Sequence, residues 1–240
     1  LRAREGFLIV VLFWLVLASF SAIPFILLEQ PSLSVTDAFF ESFSGLTTTG
    51  ATILNHIDGL PHAVLWYRQQ LQWLGGMGII VLAVAVLPML GIGGMQLYRA
   101  ETPGPVKDSK MTPRIADTAK HLWYIYLSLT VACAGAYWLA GMSGFDAICH
   151  SFSTIAIGGF STHDASMGYF NSPAINLVCV FFLIIAGVNF ALHYAVVQSK
   201  SLKNYFYDPE FKAFIAIQAV LTLICFSVLM STGTYQDADQ

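Results

Sequence analysis

Two stretches of this sequence have the residue types for chemistry done by the backbone rather than by side chains. Thr47-Thr48-Thr49-Gly50 and Ala156-Ile157-Gly158-Gly159 each follow a helical-looking segment of about a dozen residues, shorter than the roughly 20 apolar residues that cross a bilayer. Irregular backbone at membrane depth leaves N–H and C=O groups that must be surrounded by protein or by a water-filled cavity. In such a place the carbonyl oxygens can replace the hydration shell of a bare cation. The short helix adds its negative C-terminal end to the same point, so the preferred charge is positive.

The two stretches belong to a repeat. At an offset of 109, Asp37-Ala-Phe-Phe-Glu-Ser-Phe-Ser-Gly-Leu-Thr-Thr-Thr-Gly50 lies without gaps over Asp146-Ala-Ile-Cys-His-Ser-Phe-Ser-Thr-Ile-Ala-Ile-Gly-Gly159, and six of the 14 positions are identical. Asp37 and Asp146 are expected as helix N-caps that support the filter. Gly50 and Gly159 close the segments where the chain must change direction. Glu41 is an ionisable group inside the first half-helix; it either bonds the back of the loop and shapes the cation's potential, or is a polar anchor met by neighbouring N–H groups. His150 takes its place in the second copy, which argues against Glu41 as a direct ion ligand.

The elements that must position these loops are membrane helices. Of 240 residues, 56% are hydrophobic and 10% charged, against about a quarter charged in a soluble domain. Crossing helices are expected at Gly6 to Leu28, Leu71 to Tyr98, Leu122 to Gly141, Ala174 to Val197 and Phe211 to Met230. The implied fold is an all-α membrane protein with repeated helix, pore helix, filter loop, helix units around a central pore. Residues 1–98 form the first repeat, 99–120 a cytoplasmic loop, 121–198 the second repeat, and 199–240 a connector and the outer helix of a third.

Of the 11 Lys and Arg residues, Arg2, Arg4, Arg99, Lys107, Lys110, Arg114, Lys120, Lys200, Lys203 and Lys212 fall on one side of these spans and Arg68 alone on the other. The positive-inside rule makes the first side cytoplasmic, including the N-terminus and the loop 99–120. That loop, broken by Pro103, Pro105 and Pro113, reads as a connector or as a docking surface for a cytosolic partner.

Enzymatic readings find no support. There is no G-x-S-x-G, no H-E-x-x-H and no pair of intramembrane aspartates. Cys133, Cys149, Cys179 and Cys225 are scattered without a C-x-x-C pair and read as small apolar side chains. Asn189 and His193, four apart, are expected on one helix face, bonding across helices or lining an inner cavity. His56, Asp58, His62, His163 and Asp164 lie past the two loops as a solvated mouth or as weak cation attractors. Gly75, Gly76 and Gly78, with Gly91, Gly93 and Gly94, suit close helix packing, and Trp66, Tyr67, Trp73 and Tyr98 suit an interfacial belt. A membrane scaffold remains as a bland alternative, at the cost of leaving the duplicated loops without a purpose.

Three stretches resemble the Trk/Ktr/HKT potassium transporter superfamily and its bacterial TrkH-like pore subunits: Asp37 through Thr52, Gln72-Trp-Leu-Gly-Gly-Met-Gly-Ile-Ile80, and Ser153-Thr-Ile-Ala-Ile-Gly-Gly-Phe-Ser-Thr-His-Asp164. The resemblance implies four repeats around one pore, of which this chain holds two and the first helix of a third, and hence a part of a longer polypeptide. It implies filter carbonyls from Thr47, Thr48, Thr49, Gly50, Ala156, Ile157, Gly158 and Gly159, with potassium held at Thr48, Thr49, Ile157 and Gly158. Gly50, where sodium-favouring relatives can carry serine, leans toward potassium, with a sodium or mixed-cation transporter of the same fold as the alternative. The resemblance further implies no bound cofactor, K+ as the transported ion, a homodimer in the bacterial inner membrane, and a cytosolic nucleotide-binding regulatory subunit of TrkA-like type.

Overall fold

Helix α1, Ala3–Ile26, carries a run of large apolar side chains, and it opens a computed structural model that describes residues 3–29, 31–78 and 115–232. It packs on α2, Val35–Leu46, with Ala18, Ala22 and Phe25 buried against Ala38, Leu46 and Leu71. Small residues at Ala18 and Ala22 let the two backbones approach, and the Ser42 hydroxyl donates to the Ala18 carbonyl at 2.7 Å. A loop with one 3₁₀ turn, Ile57–Gly59, leads to α3, His62–Gly76.

The second copy repeats the plan: α4, Ile115–Leu139, then α5, Gly144–Ala156, a 3₁₀ turn at Ser166–Phe170, and α6, Pro173–Gly187. Helix α3 packs on both short helices, α2 and α5. Its glycine end makes this possible: a side chain at Gly75 would run into the Leu46 carbonyl, and one at Gly76 into Ala156 and the Tyr126 hydroxyl. The expectation that these glycines serve close packing is therefore met at Gly75 and Gly76, while Gly91, Gly93 and Gly94 lie outside the described residues.

Residues Leu1–Gly187 and Val188–Gln240 form two separate compact units. In the second, α7 spans Phe190–Ser199, α8 Lys203–Tyr207 and α9 Pro209–Ser231. The His193 Nδ1 meets the Tyr205 hydroxyl at 2.7 Å, and Asp208 caps α9 by accepting from the Phe211 N–H at 2.8 Å. Helix α9 is apolar and exposed along its length, untenable in water and ordinary against lipid.

Among the described residues three helices, at Leu8–Ile26, Lys120–Leu139 and Pro209–Ser231, are long and apolar enough to cross a membrane. They answer to the first, third and fifth expected spans. The second, Leu71 to Tyr98, begins inside α3 and lies beyond Gly78 outside the described residues. The fourth is not one helix. Asn189 takes the Ala191 N–H onto its own side chain at 2.9 Å, a local bond that starts a new helix instead of continuing the old one. Asn189 and His193 thus do not share a helix face: one is a cap, the other a partner of Tyr205. Tyr67 and Trp73 also depart from an interfacial belt, since their polar tips turn inward to the Ser21 carbonyl and the Thr130 hydroxyl. Cys133 and Cys149 are buried as expected, whereas Cys225 is exposed on α9.

Candidate cation filter

Both short helices start one turn earlier than the aspartates suggest. Ser34 and Ser143 are the N-caps, each accepting at 3.1 Å from the N–H of Asp37 or Asp146, which sit three residues inside. Serine wins because its β-region backbone frees the side-chain oxygen to turn back on the helix. The carboxylates then lie in the first turn, where the positive end of the helix favours them. The repeat therefore extends upstream of the identical aspartates.

At the other end the two loops fold identically. Thr48 and Ile157 both turn left-handed, at φ 54°, and Gly50 and Gly159 follow at φ 74° and 83°. The Thr48 and Ile157 N–H groups reach back to Gly45 and Thr154 at 3.0 and 3.1 Å, and those of Thr49 and Gly158 to Ser44 and Ser153 at 2.9 and 2.8 Å. The Ser44 hydroxyl then donates to the Ala51 carbonyl at 2.5 Å and the Ser153 hydroxyl to the Phe160 carbonyl at 2.6 Å. Every one of these partners is related by the same offset of 109. The N–H groups of Thr48, Thr49, Ile157 and Gly158 are thus taken up by the helix end that precedes them. Among the described residues no hydrogen bond is donated to the carbonyls of Thr47, Thr48, Thr49, Gly50, Ala156, Ile157, Gly158 or Gly159.

The two bends meet. A Cβ placed on Gly50 would collide with the Gly158 carbonyl oxygen. Thr47, Thr49, Ile157 and Gly159 are exposed around this contact while Gly158 is buried behind it. Behind the second loop, Gln72 accepts from the Phe160 N–H at 3.1 Å, and the Gln69 side chain meets the Ser153 hydroxyl. Behind the first, Glu41 takes the Thr52 hydroxyl at 2.9 Å and the Ile53 N–H at 3.3 Å, and pairs with Arg68 at 2.7 Å. His150, its counterpart, meets the Ser161 hydroxyl at 3.0 Å, and Ser161 is the counterpart of Thr52. Glu41 stands behind the loop, as one of its two sequence readings had it.

Two bends whose carbonyls accept no hydrogen bond among the described residues thus lie beside one another. Residues 1–235 match the family described as TrkH, cation transport protein. The chain belongs to that family. It is 68% identical over 237 residues to the Trk system potassium uptake protein TrkH of Vibrio parahaemolyticus, and 66% identical over 238 residues to that of Escherichia coli. It covers 98% and 99% of itself in these alignments and 49% of each relative, so it spans about half the length of the curated relatives it matches. The crystal structure of the potassium transporter TrkH from Vibrio parahaemolyticus superposes with a TM-score of 0.83 at 62% identity, over 99% of this chain and 48% of that one. With its apolar helices, the TrkH-family chain is an all-α, membrane-embedded protein of a transporter family.

Sequence reasoning missed the partners of these loops. Arg68, read as the one basic residue left outside, is fully buried with Glu41. Its separation from the ten other basic residues, which the expected spans put on the opposite side, was the signal available. Gln69 and Gln72 are also fully buried, one helical turn apart on α3, a polar stripe within an apolar helix that marks a face turned to something polar. Of the mouth residues His56, Asp58, His62 and Asp164 are exposed, as a solvated loop requires, and His163 is half-buried among them. His163 Nδ1 lies 2.5 Å from Asp58, its Nε2 3.3 Å from Asp146, and its ring stacks on Tyr169 at 3.4 Å. Asp58 and Asp164 each donate the backbone N–H to the other's carboxylate, at 3.4 and 3.2 Å, which fastens the outer loop of one repeat to that of the other. The His163 side-chain bond, then the Asp164 N–H, hold the exposed Asp58 carboxyl below its ordinary value. Burial works against ionisation of Asp146, yet the Ser143 and Thr162 hydroxyls bring it too below the usual range.

Proposed function

We propose that this chain contributes two of the carbonyl-bearing corners of a potassium-selective pore, within a larger subunit that takes up K+ across the bacterial cytoplasmic membrane. The carrying observation is that eight carbonyls on two bends of equal conformation, touching at Gly50 and Gly158, have no hydrogen-bond donor among the described residues. A dehydrated monovalent ion satisfies such oxygens without any side-chain charge. Thr48, Thr49, Ile157 and Gly158 would hold K+, flanked by Thr47, Gly50, Ala156 and Gly159. The naming of the relatives for potassium uptake supports the choice of ion, as does glycine rather than serine at position 50.

The reading extends to assembly. The positive-inside count supports a cytoplasmic N-terminus and loop 99–120. The basic run Lys200, Lys203 and Lys212, with that loop, suits contact with a TrkA-like nucleotide-binding subunit, and a homodimer of the full subunit is the expected state. Reversing the charge of these lysines should abolish co-purification with such a subunit; intact binding would remove them from the interface. The transport reading is tested by reconstituting the full-length protein in liposomes. Flux of K+ or Rb+ that outruns Na+ is expected, and the absence of any monovalent-cation flux refutes it.

A further inference from the structure

Arg68 joins groups that belong to different repeats. Its Nε donates to Glu41 on α2 at 2.7 Å, one terminal nitrogen to the Thr52 hydroxyl at 3.0 Å, and the other to the Ser161 carbonyl at 3.2 Å, with the guanidinium 4.3 Å from the centre of the Phe160 ring. Thr52 and Ser161 are equivalent positions, each two residues past its loop's glycine. A single planar cation therefore clamps the trailing ends of both loops at matching points. The second repeat offers no such group of its own: it has His150 in place of Glu41, and helix α6 contains no basic residue. The pair is fully buried, so neither water nor salt competes with it.

We propose that Arg68 is a positioning residue for ion selectivity: by tying Thr52 of the first loop to Ser161 of the second, it sets the separation of the two carbonyl rows. The inference rests on the filter reading above. Arginine is required by geometry. Its fork supplies donors in three fixed directions within one plane, whereas a lysine ammonium is a single point at the end of a flexible stem and meets Glu41 without spanning to both loops. Arg68 touches no ion itself, and Glu41 neutralises it, so its effect on selectivity is one of spacing rather than of charge. Freed from the clamp, the loops can adjust to ions of different radius, and discrimination between them falls.

The test compares the full-length wild type with Arg68→Lys and with the charge-neutral double variant Glu41→Gln, Arg68→Gln, reconstituted in liposomes, with K+ and Na+ flux measured separately and folding followed by thermal melting. Both variants are expected to conduct, with the K+/Na+ ratio lowered on the order of tenfold, the factor that one hydrogen bond to a charged group is worth. An unchanged ratio in either folded variant overturns the inference, while wild-type K+ selectivity leaves the filter reading intact. If neither variant folds, Arg68 is a structural pillar and the positioning role is likewise overturned. A wild type that passes no monovalent cation refutes the filter reading instead.

Discussion

Replacing Gly50 by alanine adds one carbon at the point where the two loops touch. The residue holds φ 74°, and its new Cβ would collide with the Gly158 carbonyl oxygen. The left-handed backbone alone costs a non-glycine residue about 1–2 kcal/mol, a penalty paid whichever ion is present. The collision is different, because it can be relieved only by moving a carbonyl that we assign to the filter. If that displacement weighs on K+ more than on Na+ by about 1.4 kcal/mol, the K+/Na+ ratio falls tenfold. Gly50→Ser carries the same carbon and should shift the ratio toward sodium as well. Gly59→Ala is the control: it lies in the same outer segment, with negative φ and nothing within 4 Å of the added carbon. Paired K+ and Na+ fluxes of the full-length variants in liposomes, alongside their melting temperatures, give the comparison. A folded Gly50→Ala protein with the wild-type ratio, or a Gly59→Ala protein that loses as much, would refute the reasoning.

Further outcomes follow from the same contacts. Ser44→Ala and Ser153→Ala each remove a hydroxyl bond that pins the carbonyl after the glycine, at about 1 kcal/mol apiece, and Ser153→Ala should lower the melting temperature more because Gln69 loses its partner too. Gly158→Ala drives its Cβ into the Gln72 amide, an overpacking cost of about 1–3 kcal/mol; Gln72→Ala in the same protein should recover part of it, and strict additivity of the two losses would argue against the contact. The Asp58 carboxyl, depressed by its bond with His163, stabilises the joined outer loops above the unfolded value of about 3.9 and loses that effect as pH falls through its folded value. The melting temperatures of wild type and Asp58→Asn should accordingly differ at neutral pH and converge in acid; a constant difference across the range would count against the latch.

Much of the plan is legible in the sequence. The offset of 109 links two loops that match in the signs of their φ angles and in their serine staples, because the shared Ser-Phe-Ser and the closing glycine impose the same turn on otherwise different residues. Crossing helices at the first, third and fifth positions followed from length and apolarity alone. The caps were misplaced by a turn, since Ser34 and Ser143 stand outside the identical block, and the break at Asn189 was hidden by an unbroken apolar run whose hydropathy does not register a local side-chain bond.

What the sequence by itself determined is membrane embedding, the duplication, and the two short loops that end its copies, since these depend on composition, spacing and local backbone preference. Only the tertiary structure decided that Arg68 is shared between Glu41, Thr52 and Ser161, that His163 links Asp58 to Asp146, and that Gly50 lies against Gly158. Those contacts join residues up to 108 positions apart. No local pattern encodes which distant partner a buried charge will find; that is settled when α3 packs between the two short helices and leaves one cation within reach of both loops.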